Sequence, residues 1–229
     1  RRAVSEDIHG LALFAEAQTA GRGRLGRPWV SPPKSNIYMS LGCRTDLEPL
    51  ELAGLSLAVG CAIAEGLEGD LALDLKLKWP NDLYLGGKKC GGVLIDLVQS
   101  ANQDWIIVVG VGLNVAMSES GGTDIDQPWT DLGSHTDIPV VRNELAGRLL
   151  EALVPLLSSW QVGAFSQWQS CWARRDLMAG HQISVQQGGH TISGRAEGVD
   201  LSGALQVATR DGLIVVQSGE ASMLRSQEL

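Results

Sequence analysis

No Cys-x-x-Cys pair occurs in this chain. Its four cysteines, Cys43, Cys61, Cys90 and Cys171, are scattered, which argues against a dithiol redox centre or a zinc module and reads as buried, reduced thiols. His9, His135, His181 and His190 are equally dispersed, so no metal cluster of His and Cys is expected. Long apolar runs are missing too: Leu52 to Ala64 is uncharged for 13 residues, short of the roughly 20 that a membrane span needs, and reads as a buried helix. Positive charge is scarce. The net charge of −8 argues against broad nucleic-acid binding and leaves room only for a small anionic partner met at a local basic patch. A Gly-x-x-x-x-Gly-Lys-Ser/Thr phosphate cradle is absent, as are internal repeats and low-complexity tracts. The chain opens at Arg1 with neither an initiator Met nor an apolar signal run, which reads as a trimmed start and a cytoplasmic location.

What is present suffices for one substantial core and a small second one, since 44% of the 229 residues are hydrophobic. The scarce positive charge gathers in Gly21-Arg22-Gly23-Arg24-Leu25-Gly26-Arg27-Pro28-Trp29. Glycine lets such a backbone approach a ligand, and arginine offers a planar fork of donors to phosphate or carboxylate. Gly21-x-Gly23-x-x-Gly26 fits the dinucleotide fingerprint in letters only. That motif must open a helix, and here Pro28, Pro32 and Pro33 follow. Leu11–Ala15 before the loop and Asn36–Leu41 after it read as strands, so the loop joins strand to strand.

Residues 48–68 read as a helix packed on a sheet. Leu71 to Lys78 alternates strictly and is expected as one strand with a buried face. Pro80-Asn81-Asp82 marks a turn, Leu83–Leu85 a short strand and Gly86-Gly87 a hairpin. Residues 93–98 and 106–111 read as further strands of a meander that could offer an edge to a second copy of the chain. Lys78, Asn81, Asp82, Lys89 and Asn114 fall at strand ends or turns, where chemistry is usually held. By residue type alone, Lys89 serves either as a counter-charge to an anion or as half of a solvated lysine pair with Lys88. Asp82 is suited to Mg²⁺, to an incoming amine or to capping its turn, and Asn114 to an adenine edge or a strand end. Residues 117–139 read as a surface excursion with no assigned function. Asn143 is expected to cap a helix running to about Leu157, and Phe165, Trp168 and Trp172 to be core. From Gly180 onward, eight glycines separate short strands, which suggests a small barrel of five or six strands beyond a linker near 174–180.

Four ordered segments, Gly21–Arg27 with Trp29, Lys78-Trp79-Pro80-Asn81-Asp82, Lys89 with Gly91-Gly92, and Gly110-Val111-Gly112-Leu113-Asn114, together resemble the biotin protein ligase family over nearly the whole chain. The resemblance implies an α+β fold: a class II aminoacyl-tRNA synthetase-like catalytic domain over 1–176 and an SH3-like β-barrel over 177–229. It implies that ATP and biotin give biotinyl-5'-AMP, which then modifies a lysine of a biotin carboxyl carrier protein, with Mg²⁺ as the metal. Carried over by position, Gln18, Arg22, Gly23, Arg24, Lys89 and Gly92 would hold biotin. Arg24, Arg27, Trp29, Asn81, Asn114 and Arg225 would hold ATP or the adenylate. Lys89, Arg24 and Asp82 would be catalytic, with Asp82 at the metal. A homodimer is compatible with the resemblance, whereas nucleic acid and membrane are not expected partners. The family's upstream Ser-Thr-Asn segment and the DNA-binding helix-turn-helix of some members are not found here. The rival readings are a lipoate- or octanoate-type ligase of the same fold and a non-catalytic adenylate-binding module.

Overall fold

The computed structural model describes residues 7–99 and 104–224. Two antiparallel sheets organise them. The first is built from β1 (Ala12–Ala15), β2 (Asn36–Thr45), β3 (Lys76–Lys78), β4 (Asp82–Leu85), β5 (Lys88–Gln99) and β6 (Trp105–Asn114), in the order β1-β2-β6-β5-β4-β3. β5 and β6, expected to offer an edge, are therefore interior strands; the edges are β1 and β3. The second sheet contains β7 (Gln182–Gln187), β8 (His190–Val199), β9 (Leu205–Thr209), β10 (Gly212–Val216) and β11 (Glu220–Met223), in the order β10-β9-β8-β7-β11.

Three helices lie against these sheets. α1 (Leu55–Leu71) packs on β5 and β3, α2 (Arg142–Ser158) packs on β2 and on α1, and the short α3 (Gln169–Arg175) touches α1, β3 and β8. The segment Pro49–Gly69 is apolar and long enough to cross a membrane on composition, yet 56% of its most apolar window is buried inside the protein. It is a core helix. Its apolar side chains and those of both sheets belong to one continuous cluster that runs from Ile37 and Leu55 through Trp172 to Val185 and Leu205.

The expected strand over Leu71–Lys78 is shorter than its pattern. α1 continues to Leu71 and stops where Ala72 turns left-handed (φ 50°), its N–H bonding the carbonyl of Glu68. Only Lys76–Lys78 pairs with β4. Leu71, Leu73, Leu75 and Leu77 are all buried, so the alternation records a connector pressed onto the core by every second residue. Asn143 lies within α2; the residue at the N-cap is Val141. Of the expected core aromatics, Phe165 and Trp172 are 0% and 2% exposed, whereas Trp168 is only partly buried against the cluster. All four cysteines are buried, free thiols.

Candidate active site

Register across the first sheet creates a trough. Tyr38 lies opposite Gly112, Gly112 opposite Gly92, Gly92 opposite Asp82 and Asp82 opposite Lys78, so five residues form one row across β2, β6, β5, β4 and β3. Directly opposed residues project to the same face. The two glycines leave that row without side chains at its centre, and the indole of Trp29 occupies the space. A Cβ on Gly112 would stand 2.6 Å from the Trp29 ring, and one on Gly92 would stand 3.6 Å from it. The Trp29 indole N–H is buried with no partner. An orphaned buried donor costs about 1–3 kcal/mol, which makes it a natural contact for a ligand acceptor.

A β-bulge decides where Lys89 points. Leu83 opposes Gly91, but Tyr84 opposes Lys89, so Cys90 is the extra residue. Strict alternation would send Lys89 to the face opposite Asp82 and Gly92. The bulge instead brings it to theirs and turns Cys90 into the core, where it is fully buried. Burial there pushes the Cys90 thiol up to about 12. Lys89 Nζ then meets Asp82 Oδ1 at 2.7 Å, with both side chains largely covered, and sits 5.4 Å from the Trp29 ring centroid, a cation–π distance.

The basic loop is folded and fastened at both rims. Trp29 donates its backbone N–H to Gly21 (2.9 Å) and Gly23 to Arg27 (2.8 Å), while Leu25 and Gly26 take positive φ at the tip. Arg24 Nη1 donates to the carbonyl of Gly219 at 3.0 Å. Arg27 pairs with Glu220 at 2.5 Å. Residues that precede β2 are thus docked on residues bordering β11. Burial pulls the Arg24 guanidinium below its ordinary value, opposed by Glu220 and Asp82. Lys78, whose Nζ lies 5.8 Å from the Tyr84 ring, is likewise held down by burial, opposed by Asp82. Four cations (Arg24, Arg27, Lys78 and Lys89) therefore face two carboxylates (Asp82 and Glu220). Among the described residues, two more positive than negative charges stand at the rim of the trough. This is a ready site for an anion.

Other expected site residues fall nearby with different commitments. Gln18 Oε1 lies against Gly21, 2.7 Å from where a Cβ would stand. Arg22 is exposed and forms a backbone bridge with Pro28. The Asn81 side chain donates to the carbonyl of Val93 at 2.6 Å, which fixes the turn between β3 and β4. Asn114 is 4% exposed and donates its amide to the carbonyl of Thr130 at 3.0 Å. Arg225 lies outside the described residues. No group of three His, Cys, Asp or Glu side chains capable of holding a metal exists among the described residues, and the Asp82 carboxylate is engaged by Lys89. Among the described residues, the side chains do not build a resident metal site.

The region read as a surface excursion contributes to this site. Met117, Thr130, Asp131 and Leu132 are buried, and residues 128–130 bond both backbone groups of Lys89. Sequence reading missed these residues because their ties to Lys89 run through main-chain groups, and their own side chains bond within the same region. The bulge had a faint signal in the two glycines after Cys90.

Comparison with known proteins agrees with this geometry. Residues 4–114 match the Biotin/lipoate A/B protein ligase family, and residues 179–224 match the Biotin protein ligase C terminal domain. The bifunctional ligase/repressor BirA of Escherichia coli (strain K12) is 36% identical over 225 residues, covering 98% of this chain and 70% of its own length. The biotin–[acetyl-CoA-carboxylase] ligase of Mycobacterium tuberculosis is 34% identical, covering 98% of this chain and 83% of its own length. Among solved structures, biotin protein ligase from Aquifex aeolicus in complex with biotin and ATP superposes with a TM-score of 0.80 at 32% identity, over 95% of this chain and 90% of that one. With matching profiles at both ends and identity sustained along its length, the chain belongs to the biotin protein ligase family.

Proposed function

We propose that this chain joins biotin to a lysine of a biotin carboxyl carrier protein in two half-reactions. In the first, a biotin carboxylate oxygen bonds to the α-phosphorus of ATP and pyrophosphate leaves, giving biotinyl-5'-AMP. In the second, the carrier lysine amine adds to the biotinyl carbonyl, loses a proton, and AMP leaves with the C–O electron pair. The observation that carries this reading is the uncompensated positive charge around the glycine-floored trough, since the first half-reaction must bring two anions together.

In this reading Lys89 exchanges its Asp82 partner for the meeting point of the carboxylate and the α-phosphate, and Arg24 supports the phosphate. Asp82, released by Lys89, receives the proton of the incoming amine. Trp29 and Asn114 address the base, and Gln18, Arg22, Gly23 and Gly92 line the biotin side. Asn81 acts by holding its turn. Arg27 belongs with Glu220 until ligand arrives, and Arg225 is assigned to the nucleotide side on resemblance alone. Mg²⁺ is proposed to travel with the ATP phosphates as part of the substrate, because it prefers substrate oxygens plus one or two carboxylates to an all-protein cage.

We read the first sheet with α1 and α2, over 1–176, as the class II aminoacyl-tRNA synthetase-like catalytic domain, and the second sheet, over 177–229, as the SH3-like domain. The expected compartment is the cytoplasm, and a homodimer formed by edge pairing of the first sheet would use β1 or β3. A lipoate- or octanoate-type activity is not favoured, since the ligases named above are biotin ligases.

The deciding assay is biotin-dependent exchange of labelled pyrophosphate into ATP. The expected result is exchange by the wild type and its loss, by a factor of about 100 or more, in Lys89→Ala with folding retained. Wild-type exchange no faster with biotin than without it would sink the ligase reading.

A further inference from the structure

Two candidate site residues on neighbouring strands, Lys89 on β5 and Asn114 on β6, are tied to one residue that belongs to neither. The N–H of Thr130 donates to the Lys89 carbonyl at 2.9 Å, while the Lys89 N–H donates to the Pro128 carbonyl at 3.1 Å. The carbonyl of Thr130 accepts from Asn114 Nδ2 at 3.0 Å, and the Leu132 N–H returns to the Asn114 carbonyl at 3.0 Å. Its hydroxyl bonds His135 Nε2 at 2.9 Å. All three polar groups of Thr130 are thus spent on three different elements.

His135 completes the clamp. Its ring lies against Gly86 in the turn between β4 and β5, so close that a Cβ there would meet Cε1 at 2.8 Å. The backbone N–H of His135 donates to Leu132 at 3.0 Å. The Asp131 carboxylate accepts from Met117 N at 2.7 Å and from Ser134 N at 2.9 Å, which holds both ends of the strap. Between Met117 and His135 the strap has two short 3-10 helices, Glu119–Gly122 and Gly133–His135, and one bridge to a strand, between Lys89 and Trp129. Side-chain ties supplement its few main-chain bonds to β5 and β6.

We propose that the Thr130–His135 pair is a positioning device that sets the spacing between Lys89 and Asn114. Lys89 faces the trough where two anions must meet, and Asn114 stands one strand away. The hydroxyl–imidazole bond adds to the main-chain and Asp131 ties in keeping the strap from sliding along β5, and so helps hold both residues in register with each other. The catalytic consequence rests on the ligase reading above; the structural consequence does not.

The test uses the whole chain and two readouts. Thr130→Val removes the hydroxyl but keeps the branched shape, and Thr130→Ser restores it. In the free protein, amide hydrogen exchange at Lys89 and Leu132 should accelerate about tenfold in Thr130→Val and His135→Phe, the equivalent of one net hydrogen bond, with β8 amides unchanged. The double variant should be no worse than either single one. Thr130→Ser should exchange within about twofold of the wild type. In the pyrophosphate assay, kcat should fall about tenfold in Thr130→Val and recover in Thr130→Ser. Unaltered Lys89 exchange in Thr130→Val, or equal behaviour of the Val and Ser variants, overturns the clamp. Faster exchange with unchanged kcat in an active enzyme overturns its role in positioning. An inactive wild type whose variants nevertheless show the exchange pattern would count against the ligase reading and leave the clamp standing.

Discussion

Cys90 matters for where it puts its neighbour. As the extra residue of the β5 bulge it turns Lys89 onto the face of Asp82, and the 2.7 Å ion pair follows from that turn. Gly112 matters for what it omits. With Trp29 already 2.6 Å from where a Cβ would stand, Gly112→Ala must push the indole out of the trough. The expected outcome is a KM for ATP raised roughly tenfold, about 1.4 kcal/mol of lost binding, with little change in thermal stability, measured by pyrophosphate exchange beside a melting curve. An unchanged KM would remove Trp29 from the nucleotide site. At this scale the sequence drew attention to side chains that announce chemistry, and of these Lys89, Asp82 and Arg24 come together in the fold. It was silent where backbone does the work, as at Thr130, and it misplaced Asn143, whose residue type suits a cap that the chain instead begins at Val141.

Among the elements, the basic loop gains its order from outside itself. Its own bonds close only a short hairpin, and its arginines reach Gly219 and Glu220. Arg27 is largely exposed, with 69% of its side-chain surface open, so the pair adds under about 1 kcal/mol to global stability. Its larger effect is local. Glu220→Lys replaces attraction with repulsion and should leave the unfolding midpoint nearly unchanged, while trypsin cleaves after Arg22 or Arg24 several-fold faster. Cleavage at the wild-type rate would mean that the loop is held by other contacts. The meander of β4, β5 and β6 was readable from the hairpin glycines and apolar runs; that β2 pairs with β6, leaving β5 and β6 both interior, was not. The Leu71–Lys78 stretch was not, because a connector buried at every second residue writes the same pattern as a paired strand.

On the scale of the molecule, both sheets share one apolar cluster, and the turn between β8 and β9 packs against the start of α1, with Gly203 accepting from the Trp79 indole at 3.1 Å. Asp200 accepts from Ser202 N, Ser202 Oγ and Ala204 N there. Burial alone would raise its carboxyl, but these donors outweigh burial and hold it below the usual carboxylate value of 3.8. A carboxylate with a depressed folded-state pKa stabilises above its unfolded value, and that contribution fades as pH falls through the folded value. Asp200→Asn should therefore be less stable than the wild type near neutral pH, and the gap should close below about pH 3.8, followed by urea melts across pH. A gap that persists in acid would assign the loss to shape instead of charge.

The loop and its dock lie 195 residues apart along the chain. Protein synthesis runs from one to the other, so the arginine loop emerges well before Gly219 and Glu220. Once β6 has been made and before β11 follows, the trough has a floor but its cover has nothing to fasten to. A nascent chain stalled before β11 would carry nearly every expected site residue and still lack the closed rim, which makes synthesis of β11 the step that closes it.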